Sequence, residues 1–182
     1  MRSVLPLGLL LVLGACATTQ PVTISRSSGT PGDDVGRAVA FLDALPPCTA
    51  EVEKSALSVG DAQAGELPSA VSVRGAVVAG SGACTLRGCV GRDGAPAPAC
   101  CNSCGGDWVL RAPDGAKEST VALLDGYDKP LLTYSVMDCK MKELQAVPPV
   151  DAVATGTLRV ATHHGQAGRA ELIDAHVCRV RR

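Results

Sequence analysis

Aromatic side chains are scarce: one Trp, two Tyr and one Phe in 182 residues, at Trp108, Tyr127, Tyr134 and Phe41. So few rings leave no stacking platform for bases, which excludes a single-stranded nucleic-acid binder. An excess of either charge is also missing, with 17 Lys and Arg facing 18 Asp and Glu. A basic groove for polyanions and an acidic tail are both excluded. Outside the N-terminus no apolar run reaches the roughly 18 residues that a membrane-spanning helix needs. Motifs of catalysis are absent too: the sequence contains no HExxH, GxSxG or GxxxxGK, and no GxGxxG between a strand and a helix. Ser81, between Gly80 and Gly82, is one residue off a nucleophile elbow. His163 and His164 fall at a strand end beside a Gly turn, and His176 falls on the surface of the last strand. Asp114, Asp125 and Asp128 occupy turn positions, where carboxylates bond to local backbone. A non-enzymatic protein is expected.

What is abundant is cysteine, nine in all, with 20 Gly and 12 Pro. That cysteine count fits an oxidising compartment better than the cytosol. Hydrophobic residues reach 46%, but with so few rings they are mostly Ala, Val and Leu, which build a thin core.

The N-terminus reads as an address. Met1-Arg2 carries one positive charge, and Val4 to Leu13 is apolar but for Pro6 and Gly8, the length of a signal-peptide core. It ends Leu13-Gly14-Ala15-Cys16. This tetrapeptide resembles the lipobox of bacterial lipoproteins. The resemblance implies diacylglyceryl (palmitate-type) modification of Cys16, cleavage after Ala15 and acylation of the new amino group. Cysteine arithmetic agrees. Without Cys16 the body keeps Cys48, Cys84, Cys89, Cys100, Cys101, Cys104, Cys139 and Cys178, an even set suited to disulfides. Multiple acyl chains, each contributing about 0.8 kcal/mol per buried methylene, anchor stably. Ala17 stands where the family's sorting rule would place Asp for inner-membrane retention, so the resemblance favours the outer membrane, with the body in the periplasm or at the cell surface.

Ala17 to Gly32 (ATTQPVTISRSSGTPG) has no apolar period and reads as a flexible tether reaching about 20–25 Å. The expected organisation is a signal peptide over 1–15, the lipidated cysteine and tether over 16–33, and one domain over 34–182. A short helix is predicted at about 34–45, capped by Asp33 or Asp34, carrying Val35, Ala38, Val39, Leu42 and Leu45, and stopped by Pro46-Pro47. From there the period changes to two. Strands are predicted at Ala70–Ala79, Trp108–Arg111, Thr120–Leu124, Leu131–Val136, Gly156–Thr162 and Ala170–Val180, with Gly75 a bulge or close-approach point. The fold class is mostly β, a small antiparallel barrel or a sandwich stapled by disulfides. A long opening strand with a central glycine resembles an OB-fold, and GTLRV…ELIDAHV is similar to its closing pair. That likeness spans about residues 68–180.

The cysteines admit three readings. In the first they form disulfides; adjacent Cys100 and Cys101, pointing to opposite faces if extended, take different partners. In the second, Cys101-Asn102-Ser103-Cys104 is a redox CxxC, although strand-forming sequence follows rather than a helix. In the third they hold a soft metal: zinc on Cys84, Cys89, Cys101 and Cys104, or Cu(I) on the sulfurs of Met137, Cys139 and Met141. Arg179, Arg181 and Arg182 read as a solvated tail. Together these features predict a lipid-anchored envelope protein without cofactor. Its β domain binds an envelope protein or a cell-wall ligand, and nucleic acid is not a partner. The alternative is a thiol-redox or Zn/Cu-handling lipoprotein.

Overall fold

The computed structural model describes residues 34–64, 70–85, 100–113, 119–163 and 166–181. The predicted signal peptide, Cys16, the tether, Cys89, Asp114, His164 and Arg182 lie outside these residues.

Helix α1 (Asp34–Asp43) buries Ala38 and Leu42 on one face and stops short of the Pro pair, as its spacing predicts. The next segment departs from the expected period of two. It forms α2 (Ala50–Ser55), a two-residue strand β1 (Leu57–Ser58) and α3 (Val59–Gln63). Both helices are fixed at their starts. The Thr49 hydroxyl accepts the Val52 N–H at 3.3 Å, and Ser58 forms a capping box with Asp61. Their periodicity is too short to read, but these caps stand in the sequence.

The strands follow at β2 (Ala70–Cys84), β3 (Ser103–Arg111), β4 (Thr120–Leu123), β5 (Thr133–Met137), β6 (Val150–His163) and β7 (Gln166–Arg179). A turn η1 (Asp138–Lys140) and helix α4 (Met141–Gln145) connect β5 to β6. All strands join one sheet in the order β1-β2-β6-β7-β4-β3-β5, with β2 also paired to β3. The protein is thus mostly β, and one sheet curls into a partial ring rather than forming two stacked layers. Pairing is antiparallel except at β1–β2 and β4–β7, which are parallel.

Strand β2 makes the curl. Ala70–Val77 pair with β6, and Ala76–Cys84 pair with β3. Gly75 sits just before the hand-over, where a Cβ would lie 2.6 Å from the Arg111 carbonyl and 2.9 Å from Leu110. It is therefore a close-approach point; the irregular register falls further on, between Ala79 and Gly82. Val71, Val73 and Val77 face the main core, while Ala76 and Val78 bury the other face against Val109. The main core gathers Trp108, Leu110, Val121, Leu172 and Val73 under Leu42 of α1, Val59 of α3 and Leu144 of α4.

The C-terminal end is sewn to the start of the domain. The Cys48 N–H donates to the Arg179 carbonyl at 2.8 Å, and the Arg179 N–H donates to Pro46 at 2.7 Å. Cys48 and Cys178 form a disulfide with Cα atoms 4.9 Å apart. Arg179 also lies 3.9 Å from Asp43, and the Arg181 N–H reaches Glu53 at 3.4 Å. The basic C-terminus is thus partly tied down rather than simply solvated.

Candidate functional site

Where β2 and β3 run side by side, Cys84 and Cys104 fall in register and form a disulfide across Cα atoms 3.9 Å apart. Cys104 is fully buried. Cys100 bridges to Cys139 over 5.2 Å, and Cys101 is disulfide-bonded as well. The neighbours Cys100 and Cys101 therefore enter different bridges, as their alternation predicts.

Among the described residues this pairing engages the cysteines of both thiol constellations in disulfides. In the CxxC, Cys104 is bonded to Cys84 and not to Cys101, and the motif leads into strand β3 instead of a helix N-terminus. Cys84 and Cys104 cannot serve zinc as separate thiolates while joined to each other. The Cu(I) face does not form either. β5 ends at Met137, Cys139 lies in η1, and Met141 opens α4 with its side chain against the core. Gly105-Gly106, which follow the motif, have a packing role. A Cβ on Gly106 would come 2.5 Å from the Tyr134 hydroxyl, and one on Gly82 would collide with the same oxygen. The two glycines let Tyr134 cross β3 and donate to the Gly80 carbonyl at 2.9 Å. Burial first, and the nearby Asp107 charge second, push the Tyr134 phenol above its ordinary pKa.

Asp138, which sequence reasoning passed over, fastens the cysteine region. Its Oδ1 accepts the N–H groups of Cys101 (3.2 Å) and Cys139 (2.9 Å); its Oδ2 accepts the Asn102 N–H (3.2 Å) and Nδ2 (3.0 Å). Desolvation pushes this carboxyl up, but the bonds from Asn102, Cys139 and Cys101 outweigh it and hold the carboxyl below its usual range. One carboxylate oxygen and the sulfurs of Cys100 and Cys139 lie within 4.8 Å of one another. Cys139 is exposed and Cys100 half-buried, so this bridge meets solvent far more than Cys104 does.

Two depressions on the described surface bear on function. The larger, about 760 Å³, is an apolar groove between α1 and the C-terminal end, lined by Val39, Leu42, Pro148 and Val180 with Asp43 and Arg181 at its rim. The second, about 570 Å³, lies over β2, β6 and β7. Its walls carry Ser72, Thr155, Thr157, Asp174 and His176, with Leu57 and Val71 supplying apolar surface. His176 stands on the strand surface as predicted, its Nε2 3.9 Å from Asp174 Oδ1. Asp174 is one of two described non-glycine residues with positive φ, at 53°. Ser72 and Thr157 fall within predicted strands, but Thr155 precedes the predicted Gly156–Thr162, and neither the hydroxyl row nor the turned backbone at Asp174 was legible. Among the described residues no helix is long and apolar enough to cross a membrane.

No family model, curated protein or solved structure matches the chain.

Proposed function

We propose that the protein is a bacterial lipoprotein, anchored through acylated Cys16 to the envelope membrane, the outer one by its Ala17, whose disulfide-stapled β domain binds a ligand without transforming it. The observation that carries this reading is that every cysteine among the described residues is disulfide-bonded. Such saturation belongs to an oxidising compartment. It also leaves Cys16 and Cys89 as the two cysteines outside the described residues. The reading gives Cys16 to lipid, which leaves the body an even set of eight cysteines for disulfides. The lack of catalytic motifs supports binding rather than turnover.

A thiol-redox or soft-metal reading has one feature in its favour, the solvent-facing Cys100–Cys139 bridge beside Asp138. It requires reduced cysteines in the mature protein.

Intact mass of protein purified from native membranes separates the two, with free thiols alkylated before and after reduction. The expected result is acyl mass on Cys16, no label before reduction and eight labels after it, one for each body cysteine. Labels before reduction, or retained zinc or copper, would establish the thiol reading instead. An unacylated Cys16 would remove the anchor.

A further inference from the structure

Nothing on the walls of the apolar groove says what covers it, but the polar depression over β2, β6 and β7 carries an inference. β7 bulges there. Thr155 pairs with His176 and Thr157 with Ile173, so Asp174 and Ala175 together face Gly156. The bulged residue sits in the left-handed region, a place where glycine is sterically at ease and a side chain costs free energy. The sequence nevertheless has Asp there, its side chain 72% exposed and turned to the depression. Asp adopts this turned backbone more readily than most side chains, and the bulge carries its carboxylate out to the wall of the depression.

The surroundings specify what that carboxylate would meet. The register Ser72–Thr155–His176 sets two hydroxyls and an imidazole abreast across three strands, with Thr157 two residues along. Leu57 adds an apolar wall. No Lys or Arg is among the described residues lining the depression, so an anion would find no counter-charge. A ligand matched to this set is uncharged and offers hydroxyl donors to Asp174 and to the Thr155 oxygen, whose own proton goes to the His176 carbonyl at 3.4 Å. It accepts from Ser72, Thr157 and the imidazole, and lays a C–H face on Leu57. We infer that the depression binds a neutral saccharide, with Asp174 accepting hydrogen bonds from two adjacent ring hydroxyls.

This deepens the binding reading proposed above and rests on it. The test is amide NMR of the full-length protein in detergent micelles. Chitotetraose, cellotetraose and maltotetraose are the probes, and polygalacturonate is the anionic control. At least one tetrasaccharide is expected to give saturable shifts centred on Ser72, Thr155, Asp174 and His176. Asp174→Gly, which keeps the turned backbone and relieves its strain, is expected to weaken that binding about tenfold while leaving the thermal midpoint equal or higher. The inference is overturned if none of the three probes gives saturable shifts, if the shifts centre elsewhere, if polygalacturonate binds as well, or if Asp174→Gly binds undiminished. Such a failure leaves the mass result untouched, so the loss falls on the ligand class alone. Cleavage of the bound tetrasaccharide would instead end the non-enzymatic reading and keep the site.

Discussion

A single carboxylate, Asp138, receives four N–H groups, three of them from residues 36 or 37 positions earlier in the chain. Because those bonds favour the charged form, its folded pKa lies below its unfolded one. The sign follows. The stabilisation is present above the unfolded value of about 3.9 and is lost as pH falls through the lower folded value. Asp138→Asn should therefore lower the urea midpoint at neutral pH, and the gap to the natural protein should close in strong acid. A gap of constant size at all pH values would show that the charge is irrelevant. The role of Asp138 was not legible, since its partners are remote in sequence and no local pattern announces them. The cysteines, by contrast, were legible in number and parity but not in connectivity, which only the register of β2 on β3 decides at Cys84 and Cys104.

At the scale of elements, alternation located six strands because one face of each meets the core. It gave β2, β3, β6 and β7 too short. Ser103–Asp107 is rich in glycine and cysteine, and Gly80–Cys84 carries no apolar period, so neither looks like strand until β2, β3 and β5 lie together. Besides their ladders and the Cys84–Cys104 bridge, Tyr134 laid across Gly106 and Gly82 ties those three strands together. Gly106→Ala should destabilise the domain by about 1–3 kcal/mol, the cost of forcing a methyl group into a filled space. Gly60→Ala is the control. Its Cβ would meet nothing nearer than the Ser58 hydroxyl at 3.7 Å, and it should stabilise by about 0.4–1 kcal/mol by restricting the unfolded chain. Urea midpoints compare the two; equal midpoints would refute the packing account.

At the scale of the whole molecule, the mostly-β class was legible from the alternating segments, while the order that sets β2 against β6 and β6 against β7 was not. What sequence could not give was the knot between the ends. Cys48 and Cys178 are 130 residues apart, whereas Cys84 and Cys104 are 20 apart. Loop-closure entropy puts the first bridge at about 5 kcal/mol and the second at about 3 kcal/mol. Replacing both Cys48 and Cys178 by Ala should thus lower the unfolding midpoint more than replacing both Cys84 and Cys104, and the reverse order would assign the stapling to the middle of the chain.

That same knot has a mechanical meaning. A load applied to the two ends of the chain passes through α1 to Cys48, crosses the sulfurs to Cys178 and leaves by the last few residues. Once α1 has come away from the core that holds Ala38 and Leu42, the sheet and the depression at Asp174 hang from this line as a side loop. Pulled by its ends, the molecule should lengthen only by its outer segments until a reductant cuts the link.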